Sequence, residues 1–264
     1  MTTTANRFAP GTFTPRPRAA SLPAILAAQS RMELLLLLRN GEQLLLTMFI
    51  PITLLIGLCL LPVDTGLGES TAERADTFVP AIMTVAIMST AFTGQAIALG
   101  FDRRYGALKR LGATPIPRWG IIAGKSVAVT IVVALQALII GGIGVALGWR
   151  PSLLGLVLGV VIMAIGTVTF SALGLLLGGT LKAEVVLALA NLLWFALVGF
   201  GSLVVMADRV GSVAHWVARC VPSGALTEAL GQATHGSVDV FGICVLVAWA
   251  AVAGVLAMRW FRFE

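Results

Sequence analysis

An all-α, polytopic membrane protein is the fold class that this sequence predicts, and three observations predict it. Of the 264 residues, 58% are hydrophobic and 11% charged, and the mean hydropathy of +0.97 lies far outside the range of soluble domains. The apolar residues gather in six runs near the roughly 20 residues needed to cross about 30 Å of hydrocarbon. Basic residues collect in alternate connections between those runs, the pattern of cytoplasmic loops. Backbone in lipid must satisfy its own N–H and C=O groups, so the runs are read as helices. Topology also accounts for the +6 balance and the pI near 10.0, without nucleic acid.

Residues 1–20 are rich in Thr, Pro and Arg and have no apolar centre, which predicts a disordered cytoplasmic tail rather than a cleaved signal. The membrane domain is expected over 21–264. Ser21 is placed to cap a helix from Leu22 to about Asn40, with Leu22, Ile25 and Leu26 apolar and Arg31, Glu33 and Arg39 polar. Three charges interrupting an apolar run suggest an interfacial helix on the inner leaflet. The spans follow at about 44–61, 78–101, 119–148, 153–178, 185–206 and 240–258, the first being the shortest and carrying Pro51.

Orientation comes from the connections. The segment up to Gln43 has five Arg against two Glu, residues 102–118 have five basic residues against Asp102, and Arg259 and Arg262 outweigh Glu264. These belong inside, so both termini are expected in the cytoplasm. Residues 62–77, with four acids and one Arg, belong outside. Trp119, Trp149 and Trp260 fall at expected span ends, where indole favours the headgroup boundary. Glycines four apart at Gly120/Gly124, Gly144/Gly148, Gly155/Gly159 and Gly174/Gly178 suggest close helix packing.

Motifs for chemistry are weak. Gly124-Lys125-Ser126 resembles the end of a nucleotide-binding P-loop, but Trp119 stands where the first glycine is needed and no strand pattern precedes it. Lys125 is read instead as a lysine snorkelling to the inner interface. Cys59, Cys220 and Cys244 have no metal-ligand spacing, and His215 and His235 are too few for a metal centre. No Ser/His pair or His/Glu metal motif suits hydrolysis inside a span. The polar groups central to the spans are neutral, namely Gln95, Gln136 and Asn191; each either lines a pathway or bonds between helices. Strongly ionisable residues, which a proton-coupled carrier would need, are nearly missing there.

The segment 102–118, DRRYGALKRLGATPIPR, is basic and lies between two spans. Tyr105, Leu108 and Leu111 are spaced by three and are expected on one side of a short helix, with Arg103, Arg104, Lys109 and Arg110 as a charged periphery and Thr114-Pro115 as its stop. Such an edge fits a groove in a soluble partner, or else hugs anionic lipid. In residues 207–239, Val213, Trp216, Val217 and Cys220, and after Pro222 Ala225, Leu226, Ala229 and Leu230, have helical spacing. Two short half-inserted helices fit that connection.

Tyr105 to Trp119, YGALKRLGATPIPRW, with Gly106, Leu108, Leu111 and Thr114-Pro115 spaced as they are, resembles the permease subunit of ABC-2-type transporters, especially the drug-export-like branch. The resemblance extends over nearly the whole chain. It implies that Asp102 to Leu111 includes a coupling helix seated on a separate ATP-binding subunit, and that two permeases, identical or sister chains, pair with two such subunits. ATP and Mg would be bound by that partner and none by this chain. The resemblance also implies helices dipping into the outer leaflet as an exit lid, where Trp216, Pro222 and Glu228 fall. The Arg103-Arg104 pair stands where many relatives have a more acidic surround. Function is then expected to be ATP-driven export of a hydrophobic or amphipathic, drug-like or lipid cargo by alternating access, in the inner membrane of a prokaryote. A glycan exporter of the same architecture, or an ATPase-independent channel or carrier, is the alternative.

Overall fold

The computed structural model describes residues 20–61, 70–114, 116–207 and 209–261. The tail expected over 1–20, apart from its last residue, most of the first acidic connection, Pro115, Arg262 and Glu264 lie outside them. The described residues form α1 (Leu22–Arg39), α2 (Gly41–Leu60), α3 (Thr71–Ile87), a π-helical segment (Met88–Gly94), α4 (Gln95–Arg104), α5 (Ala107–Gly112), α6 (Arg118–Ala146), α7 (Leu153–Thr180), α8 (Ala183–Val205), α9 (Ser212–Cys220), α10 (Pro222–Thr234) and α11 (Val240–Trp260). Among them, five helices are long and apolar enough to cross a membrane: Thr71–Arg104, Trp119–Ala146, Leu153–Thr180, Ala183–Val205 and Val240–Trp260. The protein is therefore an all-α polytopic membrane protein. Among the described residues α2 contributes the apolar stretch Thr47–Leu60.

The helix expected over 78–101 runs instead from Thr71 to Arg104. Ser70 starts it with a reciprocal capping box: its hydroxyl accepts the Glu73 N–H and the Glu73 carboxylate accepts the Ser70 N–H. Two of the first N–H groups of the helix are thereby satisfied, and the acidic first turn suits the helix dipole. This helix is the most enclosed of the five. Phe78, Val79, Ile82, Ile87, Met88 and Phe92 are buried in the main core, among α2, α6, α7, α8 and α10.

Midway, the π-helical turn widens the backbone, and α7 comes close to it there. A Cβ on Gly174 would lie 2.8 Å from the Ala91 carbonyl oxygen, and one on Gly178 would lie 2.5 Å from that of Ala96. The Gly174/Gly178 pair therefore works as a groove for the neighbouring backbone, as small residues do where transmembrane helices touch. Further along α7, Gly155 sits against the Ala233 and Thr234 carbonyls and Gly166 against Leu226, so the same helix receives α10. The other pairs are split in use. Gly159 has no described atom within 4 Å of a Cβ position beyond its own turn of helix, and Gly148 takes a positive φ of 105° in the turn between α6 and α7.

Two expectations fail on packing grounds. Trp149 does not reach the boundary but is buried, its ring against Gly141 and Gly144 of α6; Trp119 and Trp260 are exposed as expected. In α1 it is the polar Gln29 and Glu33 that face inward, while Leu22, Leu35, Leu36 and Leu38 are exposed. In lipid this is the favourable arrangement, since exposed leucine has apolar solvent and the carboxylate has a partner. Ser21 occupies the N-cap position of α1 without a side-chain cap bond.

Replacing Gly178 by Val forces a branched side chain onto the Ala96 carbonyl. The expected cost is about 1–3 kcal/mol, seen as a lower melting temperature in detergent, whereas Gly254→Ala, whose Cβ meets nothing within 4 Å, leaves it unchanged.

Candidate functional site

At one end of the bundle α4 stops at Arg104, and the chain turns through Tyr105 and Gly106 into α5. Gly106 has φ +69°, a left-handed conformation that glycine adopts without a Cβ clash. The break separates Tyr105 from the two leucines, so the expected common edge does not form. Leu108 is 1% exposed and packs with Leu99 and Ile121, with Leu111 partly buried beside it. Tyr105 is 66% exposed, its ring stacked on Phe101. What this turn presents outward is Tyr105, Lys109, Arg110 and Thr114.

Of the expected charged periphery, Arg103 and Arg104 are not free, and neither is the neighbouring Asp102. Arg103 donates from Nη1 to the carbonyls of Gly178 (3.1 Å) and Leu181 (2.9 Å), meeting bare acceptors at the C-terminus of α7 and its negative dipole end. Arg104 pairs with Glu184 at the start of α8 and lies over the Phe101 and Tyr105 rings. Asp102 accepts from the Lys125 ammonium at 2.7 Å.

Lys125 holds this end together. Its Nζ also donates to Glu33 Oε2 at 2.8 Å, and Glu33 Oε1 accepts from the Gln29 amide at 3.0 Å. The lysine does not snorkel to the interface; it is 9% exposed and ties α1, α4 and α6 together. Gly124 makes the approach possible, since a side chain there would overlap Gln29. Removing two such charges from water costs several kcal/mol per ion unless each is paired and hydrogen-bonded, which the arrangement provides. Asp102, with a third of its side chain exposed, remains partly solvated. Gly124, Lys125 and Ser126 are thus consecutive residues of one helix and not a phosphate loop.

Beyond this cluster, toward the membrane centre, Gln136 accepts from the Thr90 hydroxyl and donates to the Thr47 carbonyl, both at 3.0 Å. It joins α6 to the π segment and to α2, the second of the two roles expected for it. Gln95 is 4% exposed, and neither amide atom has a partner among the described residues. It lines a cavity of about 40 Å³ with Glu33, Thr90 and Lys125. Asn191 is exposed on α8 and bonds only its own helix, donating to Leu187. A larger cavity of about 350 Å³ lies between α2, α3 and α8, walled by Leu54, Leu58, Phe78, Met88, Leu197 and Val198, with Ser202, Thr227 and Arg209 also on it. None of the three polar residues expected to line a pathway borders that cavity.

At the opposite end both short helices are present. The α9 residues Val213, Trp216, Val217 and Cys220 are exposed, whereas α10 is buried from Pro222 to Thr227 between α3, α7, α8 and α11. Pro222 is the first residue of α10, where a missing N–H costs nothing. Glu228 accepts from Gln232 at 2.8 Å and lies 3.7 Å from His215 of α9. Arg219 sits between the Trp216 and Phe241 rings and pairs with Asp239 at 2.7 Å.

The family description "ABC-2 family transporter protein" matches residues 61–259, most of the chain and every element from α3 onward. The chain belongs to the ABC-2 transporter family. No curated protein matches it. As an ABC-2 permease it is a membrane transport protein, and the basic turn at Tyr105–Thr114 falls within the matched region, as do α9 and α10. Sequence reasoning missed Glu33 and Gln29 as functional residues and misread Lys125. The available signal was a lysine and a glutamate inside otherwise apolar helices, each of which needs a partner.

In this permease, Lys125→Met leaves Glu33 buried and unpaired. The expected loss is about 3–5 kcal/mol, read as a fall in melting temperature of the detergent-purified chain. The double variant Glu33→Gln/Lys125→Met recovers part of it; an additive double variant contradicts the pairing.

Proposed function

We propose that the chain is the membrane-spanning half of an ATP-driven exporter, with the turn Tyr105–Thr114 as the surface that takes up motion from a separate ATP-binding subunit. The supporting observation is that this turn is both exposed and tied rigidly inward. Its outer face offers Tyr105, Lys109 and Arg110, while Leu108 and Asp102 fasten its base to α6 and Arg103 to α7, and Lys125 carries the tie on to Glu33 of α1. A push on the turn therefore reaches three other helices without slack. ATP and Mg belong to the partner in this reading, and alternating access follows from the two permeases shifting when two such subunits close.

Counting α2 as a span gives six, because its 20 residues extend about 30 Å. The excess of basic residues then places the turn, α1 and both termini in the cytoplasm of a prokaryotic cell, with α1 along the inner leaflet and α9 and α10 at the outer leaflet as an exit lid. The cavity between α2, α3 and α8 supplies the cargo path. Its walls are mostly apolar, with the hydroxyl residues Thr84, Ser202, Ser223 and Thr227 and Arg209 on the lining, which suits a hydrophobic or amphipathic molecule, drug-like or lipid. A second permease, a copy or a sister chain, is placed on the exposed face of α8, where Asn191 would otherwise meet lipid.

The test uses the outer residues of the turn, since Leu108→Asp buries a charge in the fold and so reports on stability. Lys109→Glu/Arg110→Glu is expected to weaken retention of a copurifying ATPase by about tenfold, roughly 1.4 kcal/mol, with chain yield unchanged. Undiminished ATPase retention would overturn the docking assignment.

A further inference from the structure

On the side of α3 away from the proposed cargo path, α6 and α7 diverge and leave an apolar groove of about 480 Å³. Leu138 and Val160 on its walls are 74% and 67% exposed, so it opens sideways to the bilayer. At two glycines on it, Gly142 of α6 and Gly159 of α7, a Cβ would meet no described atom within 4 Å beyond its own turn of helix. Glycine lowers helix stability where no close neighbour uses the room, so open glycines on both walls mark space that the chain itself does not fill.

The groove ends at the turn between α6 and α7. Trp149 closes that end, and its buried indole N–H has no acceptor among the described residues. The next residue, Arg150, is exposed. Its Nη1 donates to the Val145 and Trp149 carbonyls at 2.8 and 3.0 Å, which fixes the guanidinium beside two residues that line the groove. The groove thus joins an apolar slot in the size class of small-molecule and lipid-chain sites to a fixed cation at the turn that joins α6 to α7.

We propose that this groove is a binding site for an anionic phospholipid, with one acyl chain lying between α6 and α7 and the phosphate on Arg150. A guanidinium holds phosphate through directed N–H donors, and the cation complements the negative lipid charge. A membrane helix from a second protein would instead need a contact surface far wider than one chain-sized slot. The site is independent of the cargo path and of the membrane orientation.

The experiment is native mass spectrometry of the full chain taken from vesicles with equal phosphatidylglycerol and phosphatidylcholine. The wild type is expected to retain phosphatidylglycerol with a preference of roughly fivefold, the effect of one basic residue near the surface. Arg150→Gln should abolish the preference. Gly159→Phe, and independently Gly142→Leu on the other wall, should fill the slot and remove the retained lipid with no loss of melting temperature. Equal retention of both lipids by the wild type, or retention unchanged in the plugged variants, overturns the proposal. So does loss of a bound protein chain, rather than of lipid, from the plugged variants.

Discussion

One ammonium group organises an entire end of this protein. Lys125 lies about two turns inside α6, at a depth where a lone charge is costly, and it is stable there because Glu33 and Asp102 come to it from other helices. The requirement to pair that charge sets where α1 lies along α6, and it turns the polar face of α1 inward and its leucines outward. It also fixes the end of α4, so the following turn projects from an anchored base. Arg103, bound to the carbonyls at the end of α7, extends the same anchoring to a fourth helix.

The other end is held by shape. Small residues along α7 admit α10 and the π segment to backbone distance, and α10 becomes a wedge between four long helices although it is too short to cross a membrane itself. Of the two short helices, α9 is the one that leaves large apolar side chains outside, where lipid is the favourable solvent for them. The π turn lies between the charged anchor and the wedge. Segments of this kind mark places where a helix can change its winding at modest cost, and here it is the one irregular stretch in the most enclosed helix. That placement gives a physical route for motion at the basic end to reach the cavity bordered by Met88.

Much of the fold was legible because lipid enforces a simple rule: apolar runs of sufficient length become helices. Five of the six runs correspond to helices of membrane-crossing length, and the two short helices before Val240 follow the apolar spacing around Trp216 and Leu226. The start at Thr71 was also written in the chain, as Ser70 and Glu73 in capping-box spacing, but Glu73 and Asp76 suggested a loop. The rest depends on partners distant in sequence. Periodicity put Leu108 on a docking edge, whereas the left-handed Gly106 breaks the helix and turns Leu108 inward. Glu33 counted as a polar interruption facing water, because its reason for burial lies 92 residues later. Asn191 and Gln136 looked alike as neutral residues in spans, and only packing separates the exposed one from the one that stitches three elements.

The central claim is that the exposed turn after Arg104 is where an ATP-binding subunit drives this permease. The most direct measurement is photocrosslinking in intact membranes from a benzophenone amino acid at position 105, where Tyr105 projects outward. The account predicts a crosslink to an ATP-binding protein that is lost when the probe is moved to the enclosed position 108. Crosslinks to lipid alone, or to no ATP-binding chain, would contradict it.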